Sequence, residues 1–324
     1  MVSVMAIILQ ESLRAVFYAP FYVALARDAF TAEGVEIRFT SSPRPQDAAL
    51  RLMDGTVDVC WGGPMRVMET YQKRPDCDIV SFAEVVTRDP FLLMGREPRP
   101  GFTFADLRSV RLATVSEVPT PWLCLQHDLR LAGIDPESIS RVVDQTMASN
   151  MAALKAGEVD VIQVFEPFPS LLLAERAAHV WGEAARRGPT SYTTFYARRG
   201  TLAARRDELR CMVRAIHRTE KWVTKASGRQ IAQAISGYFS DMPSAILEAA
   251  CARYKRLGIW SDTPVLPRAG YDRLREGLVS GGFVSPGATF ETAVDNTLAA
   301  AVVAEQLPPP GGPRSGKIFD RDVR

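Results

Sequence analysis

Cysteine, histidine and net charge are all scarce in this chain. The five cysteines, Cys60, Cys77, Cys124, Cys211 and Cys251, are an odd number with no Cys-x-x-Cys or Cys/His spacing. That pattern offers neither a disulfide framework nor a zinc site, so they are expected to be buried or incidental thiols. Basic and acidic residues nearly balance, 39 against 37, which leaves no field suited to gripping nucleic acid or an anionic membrane. No nucleic-acid partner is expected. No apolar run approaches the ~20 residues of a membrane span, so direct membrane insertion is not expected either. A secretory leader is not visible: "SVMAIILQ" reads as a strand and the polar "ESLR" follows at once. The expected location is periplasmic if an export leader is missing from this chain, and cytoplasmic otherwise. GxSxG, P-loop, HExxH and Rossmann glycine signatures are missing as well, and no cofactor or metal is expected.

Apolar material is abundant: 47% of 324 residues are hydrophobic, enough for two cores. Its arrangement repeats. "RLMDGTVDVCWGGPM" and "ALKAGEVDVIQVFEP" share a Leu, a Gly and a Val-Asp-Val, beginning at Leu52 and again at Leu154. Each copy closes a helix at a glycine that can adopt the left-handed conformation, and then turns at once into a buried strand. Asp58 and Asp160 are expected to cap the turn or face a sheet edge.

Around each copy the syntax is βαβαβ. In the first half, "SVMAIILQ", "VEIRFT" and "VDVCWGG" are strands separated by the helices "FYVALARDAFTAEG" and "PQDAALRLMDG". In the second, "VRLATV", "ISRVVD" and "VDVIQVFEP" alternate with "WLCLQHDLRLAGI" and "SNMAALKAG". Such units imply parallel sheets with ligand-facing loops at the carboxyl ends of their strands. "IVSFAEVV" and "PFLLMGRE" read as strands finishing the first lobe, and "SYTTFYARR" as a strand crossing back. The expected division is a first lobe over 1–100, a second over 101–195, a return segment with C-terminal helices packing on the first lobe over 196–307, and a Pro/Gly-rich tail over 308–324.

The ordered pieces "FYAPFYVALARDAFTAEGVEI", "ALRLMDGTVDVCWGGP", "FADLRSVRLATV" and "ALKAGEVDVIQVFEPFPS" resemble the nitrate/sulfonate/taurine-type substrate-binding proteins of ABC transporters. That family includes thiamine-pyrimidine precursor binders and a pyrimidine synthase. The resemblance spans roughly residues 4–260 and implies an α/β, two-lobed type II periplasmic-binding-protein fold with a two-strand hinge and C-terminal helices. It also implies a small-molecule ligand clamped between the lobes and an ABC-transporter permease as partner. The synthase holds pyridoxal phosphate on a first-lobe lysine beside a histidine. Here the first lysine is Lys73 and the first histidine His127, so both are missing from the matching positions.

Candidate ligand-binding residues follow from the strand ends, each with a structural rival. Phe17 and Tyr18 wall the ligand, or Phe17 packs in the lobe core; Arg14 assists, or is simply solvated. Trp61, followed by Gly62 and Gly63, suits a flat ligand stacking on the indole while the backbone approaches closely, unless it is a core residue under the hinge. Ser116 and Thr120 offer hydroxyls at the first helix of the second lobe, where Thr120 equally suits a cap. Phe165 lies against the ligand, and Glu166 accepts from a ligand N–H or pairs with a hinge residue. Tyr192 and Thr194 sit on the return crossing. The strand-end aromatics Tyr18, Trp61, Trp122 and Phe165 favour an aromatic or heteroaromatic ligand carrying a polar or anionic group. Two other classes stand beside this reading. One is a cofactor-independent decarboxylase or hydrolase built from Arg14, Glu166 and hydroxyls; the other is a cytosolic sensor, which would need an exposed apolar patch or a further domain.

Overall fold

The computed structural model describes residues 6–74 and 76–309. Ser3–Met5 of the expected first strand, and the expected tail from residue 310 onward, lie outside the described residues. Among the described residues the strands are β1 (Ile7–Glu11), β2 (Ile37–Ser41), β3 (Val59–Gly62), β4 (Ile79–Val86), β5 (Leu92–Gly95), β6 (Leu112–Val115), β7 (Arg141–Gln145), β8 (Val161–Val164), β9 (His179–Glu183) and β10 (Thr193–Arg198). They form two five-stranded sheets, ordered β2-β1-β3-β10-β4 and β7-β6-β8-β5-β9. In each, three parallel strands are followed by an antiparallel one.

The repeated Val-Asp-Val explains the centre of both sheets. Gly55 and Gly157 take left-handed backbone (φ 75° and 77°), which reverses the chain from helix to strand. Asp58 Oδ2 then accepts the amide of Ile8 at 2.8 Å, and Asp160 Oδ2 accepts that of Arg111 at 2.9 Å. Each aspartate ties the start of a neighbouring parallel strand to the central one, a stricter role than capping its own turn.

The antiparallel strand of each sheet arrives from the other side of the molecule. β10 returns from the second lobe to sit between β3 and β4, and β5 leaves the first lobe to sit between β8 and β9. This corrects the assignment of "PFLLMGRE" to the first lobe. A short apolar run specifies burial but not a partner, and Leu92–Gly95 finds its ladder on Val161–Val164. The two crossings, Thr87–Phe91 and Ala184–Tyr192, join the lobes.

The C-terminal helices also reach both lobes rather than the first alone. Helix Ser244–Leu257 packs on the second-lobe helix Phe168–Ala174, and Arg268–Ser280 packs on both Pro64–Lys73 and Thr120–Leu131. Leu274 and Leu278 of the latter share one apolar cluster with Leu123, Cys124 and Met65, so burial pulls this helix across the gap. Cys60, Cys77, Cys124 and Cys251 are buried free thiols, and Cys211 is half-buried.

Candidate functional site

Residues just beyond β1, β3, β6 and β8 meet in one small cavity of about 40 Å³ between the lobes. It brings together six of the expected residues: Phe17, Tyr18, Gly63, Thr120, Phe165 and Tyr192. An adjoining cavity of about 340 Å³ shares Leu13, Pro45, Val118 and Phe165 with it and adds Arg14, Glu117 and Glu166. They are the inner and outer chambers of one cleft.

Aromatic rings wall the inner chamber. Phe17 of the first lobe meets Phe165 of the second edge to face, centroids 5.2 Å apart, and Tyr192 at 6.0 Å. Phe91 closes the box against Phe165 at 5.1 Å. Because Phe91 and Tyr192 sit on the two crossings, both lobes and both connections supply this box. Edge-to-face contacts of this kind are favourable, so the rings hold the lobes together when no ligand separates them.

The other end of the chamber is polar. Gly63 and Pro64 open the helix Pro64–Lys73, while Thr120 opens Thr120–Leu131 and does not cap it. Two helix N-termini, one from each lobe, therefore turn their positive dipole ends to the same cavity, although a proline in each first turn leaves few amides there to donate. Arg66 lines it as well, 8% exposed and held by Glu69 at 2.7 Å. Ser12 Oγ and Tyr18 Oη lie 3.1 Å apart, and burial pushes the Tyr18 phenol up to about 12. Aromatic walls and a cationic end suit an anion with an apolar body.

Arg66, Ser12 and Phe91 were not foreseen as site residues. Arg66 left a legible mark, since a basic side chain in the first turn of a helix opposes the macrodipole and needs a compensating reason. Phe91 left none, because its place depends on where β5 pairs.

Several expected residues are placed elsewhere. Trp61 is fully buried, stacked between Phe21 (4.5 Å, 7°) and Phe39 (5.2 Å, 16°). It belongs to the first-lobe core, because β3 lies between β1 and β10 and only the residues after Gly62 leave the sheet. Gly62 serves packing: a Cβ there would stand 3.1 Å from both Ser12 Oγ and Tyr196 Oη. Trp122 packs in the second-lobe core beneath Arg141, and Thr194 donates to Ser81 within the first sheet. Ser116 is exposed and lies outside the lining of either chamber.

Arg14 and Glu166 reach the outer chamber, but both are committed. Arg14 grips the buried Glu11 with Nε and Nη2, and Glu11 also accepts from Tyr22 and Ser41, each at 2.6 Å. Glu166 is fully buried, 2.7 Å from Arg253, and accepts the Ser170 amide. Burial raises its pKa and Arg253 works against that rise. Both side chains hold backbone in place around the cleft.

A family model described as "NMT1/THI5 like" matches residues 16–227. The candidate binding protein YtlA of Bacillus subtilis (strain 168) is 24% identical over 300 residues, covering 91% of this chain and 89% of that protein. The periplasmic aliphatic sulphonate binding protein SsuA from Escherichia coli is 15% identical with a TM-score of 0.69, over 86% of this chain and 91% of that one. A point mutant of the desulfurization enzyme DszB, in complex with biphenyl-2-sulfinic acid, is 12% identical with a TM-score of 0.69, over 93% and 100%. The two-lobed architecture of these proteins is the fold found here.

Proposed function

The chain belongs to the NMT1/THI5-like family, and on that premise we propose that it is a solute-binding protein whose lobes close on a small organic anion with an aromatic or heteroaromatic body. The observation that carries this reading is the convergence on one cleft of an aromatic box, two helix N-termini and Arg66. Arg66 and the two helix N-termini take the anionic group; Phe17, Phe91, Phe165 and Tyr192 take the ring. The likeness to SsuA, an aliphatic sulphonate binder, supports an organic anion, and the likeness to DszB in complex with biphenyl-2-sulfinic acid supports one that carries a ring.

The inner chamber, at about 40 Å³, is far smaller than the roughly 150 Å³ that holds a benzene-sized guest. Binding therefore requires the aromatic box to part, and ligand then shifts the population toward a closed state with the ring between the lobes. Delivery of the ligand to an ABC-transporter permease is part of this proposal, and the likeness to the periplasmic sulphonate binder SsuA supports it. Among the described residues no helix is long and apolar enough to cross a membrane.

The DszB likeness gives the enzymatic reading its own support, and the chamber speaks against it. No cysteine or histidine lines either chamber. Of the lining hydroxyls, Ser12 is paired with the Tyr18 phenol, which burial pushes up to about 12 and so makes a poor base, and Glu166 is held by Arg253. A thermal-shift panel of benzoate, benzenesulfonate, biphenyl-2-sulfinate, taurine, nitrate and neutral benzamide tests the proposal, with mass spectrometry of each compound after long incubation. Stabilisation by the aromatic anions, lost in Arg66→Gln, with every compound unchanged, is expected. Stabilisation by taurine or nitrate alone, or by benzamide equally, overturns the ligand class; accumulating product overturns the binding role.

A further inference from the structure

Behind the crossings lies another cavity, of about 500 Å³, whose lining shares no residue with either chamber of the cleft. Thr87 and Arg88 of one crossing and Pro189 of the other form part of its wall, and Trp260 forms another part, fixed by an indole N–H donated to the Phe17 carbonyl at 2.9 Å. Four ionisable side chains line it: Glu84, Asp262, Arg88 and Lys255. Among the described residues none of the four makes an ion pair.

Glu84 is the anomaly. It is 1% exposed, yet its Oε1 has no hydrogen-bond partner. Hydroxyls of Ser191, Thr87 and Ser261 surround the carboxyl, and no cation reaches it. The neighbouring helix Arg206–Lys225 adds Glu220, also buried with an unpartnered Oε1, His217 beside it at 3.4 Å, and Lys221, whose charge acts on Glu220 while its ammonium donates to the Leu307 carbonyl rather than to Glu84. A desolvated carboxyl with an unused acceptor is costly unless something supplies a donor. On the same cavity Arg88 has one long contact, 3.4 Å to the Ala185 carbonyl, and no acidic partner. Lys255 is spoken for, donating to the carbonyls of Val223 and Thr224 at the end of that helix.

We propose that this cavity is a second ligand site, for a small zwitterion whose ammonium group meets Glu84 and Asp262 and whose acidic group meets Arg88. A bare cation would leave Arg88 unanswered and face its positive charge, and a bare anion would leave Glu84 as it is. The ammonium supplies the charge-assisted donor that the buried carboxyl lacks. Burial pushes the Glu84 carboxyl up to about 8, so an arriving ammonium must displace its proton.

Isothermal titration of the full chain with γ-aminobutyrate, beside methylammonium chloride and sodium acetate, tests this. The zwitterion is expected to bind more tightly than either fragment, to strengthen from about pH 7 to about pH 9, and to release a proton, seen as a dependence of heat on buffer ionisation enthalpy. Glu84→Gln should weaken binding roughly tenfold or more, the loss of one charge-assisted hydrogen bond. Asp262→Asn, at an exposed position that spares the fold, should weaken it in the same direction. No binding, binding unchanged in both variants, binding abolished by Arg66→Gln instead, or methylammonium binding as tightly as the zwitterion would each overturn the assignment.

Discussion

Replacing Glu84 with glutamine should make the protein more resistant to alkali than the unaltered chain. Glu84 lies on β4 next to the first crossing, and its carboxyl is pushed from the ordinary 4.5 up to about 8, chiefly by burial, with the hydroxyls of Ser191, Thr87 and Ser261 opposing the rise. The folded state thus holds this proton more tightly than the unfolded state. Whatever stability that preference contributes is complete below about pH 4.5 and is lost progressively as the pH rises through about 8. At about 1.4 kcal/mol for each pH unit, the interval sets a ceiling of about 5 kcal/mol, and local relaxation with water entry brings the realised value toward about half of that. Glu220 is raised for the same reason and by Glu84 itself, so the unaltered chain loses stability through both groups while the variant keeps only the Glu220 share. Urea unfolding followed by tryptophan fluorescence, from about pH 5 to about pH 9, reads the difference directly. The two proteins should be close in stability near pH 5, and the variant should be ahead by about 2–5 kcal/mol near pH 9. Parallel curves across that range would show that the Glu84 carboxyl is ionised or solvated in the fold, and the account of the hinge would be wrong.

Three further substitutions probe packing and the crossings. Trp61→Ala removes a fully buried ring stacked between Phe21 and Phe39 and should cost about 3–5 kcal/mol in urea unfolding, whereas a stable fold with weakened ligand binding would place Trp61 at the cleft after all. Gly228→Ala would set a Cβ 2.7 Å from the Ala252 backbone, where the helices Gly228–Ile235 and Ser244–Leu257 touch, and should cost about 1–3 kcal/mol by the same measurement; a neutral substitution would mean that the two helices are less closely packed. Arg187→Met strips the charge partner from the buried Asp89 at 2.9 Å and from Asp128 at 2.6 Å, and should cost about 3–5 kcal/mol, while an Asp89→Asn, Arg187→Met double variant should recover part of it.

The fold was largely legible because it repeats. A helix-closing glycine followed by Val-Asp-Val is a local signal, and two copies in the same surroundings predict two βαβαβ units without reference to anything distant. What stayed hidden was the exchange of strands. Leu92–Gly95 reads as a buried strand, and burial is all that its composition specifies; its membership of the second sheet is decided by a ladder with Val161–Val164, nearly seventy positions away. The same limit applies to Arg268–Ser280, whose apolar stripe says that it is covered but not that it spans both lobes.

The candidate site was legible only where it coincides with strand ends. Phe17, Tyr18, Gly63, Thr120, Phe165 and Tyr192 each lie at such an end or beside one, and the cleft collects all six. Trp61 misled because residue type was weighed above position: one step before the strand leaves the sheet, a side chain still points into the core, and a large indole fits that core better than any small residue would. Arg66 inverts the case. Its position in a helix's first turn is unfavourable to a cation by the helix's own field, and the ion pair with Glu69 at 2.7 Å, three residues on, offsets that cost. Among the described residues Arg66 is nevertheless the one cationic side chain that lines the inner chamber, and that is why it, rather than the more conspicuous tryptophan, is the residue on which the binding proposal should be judged.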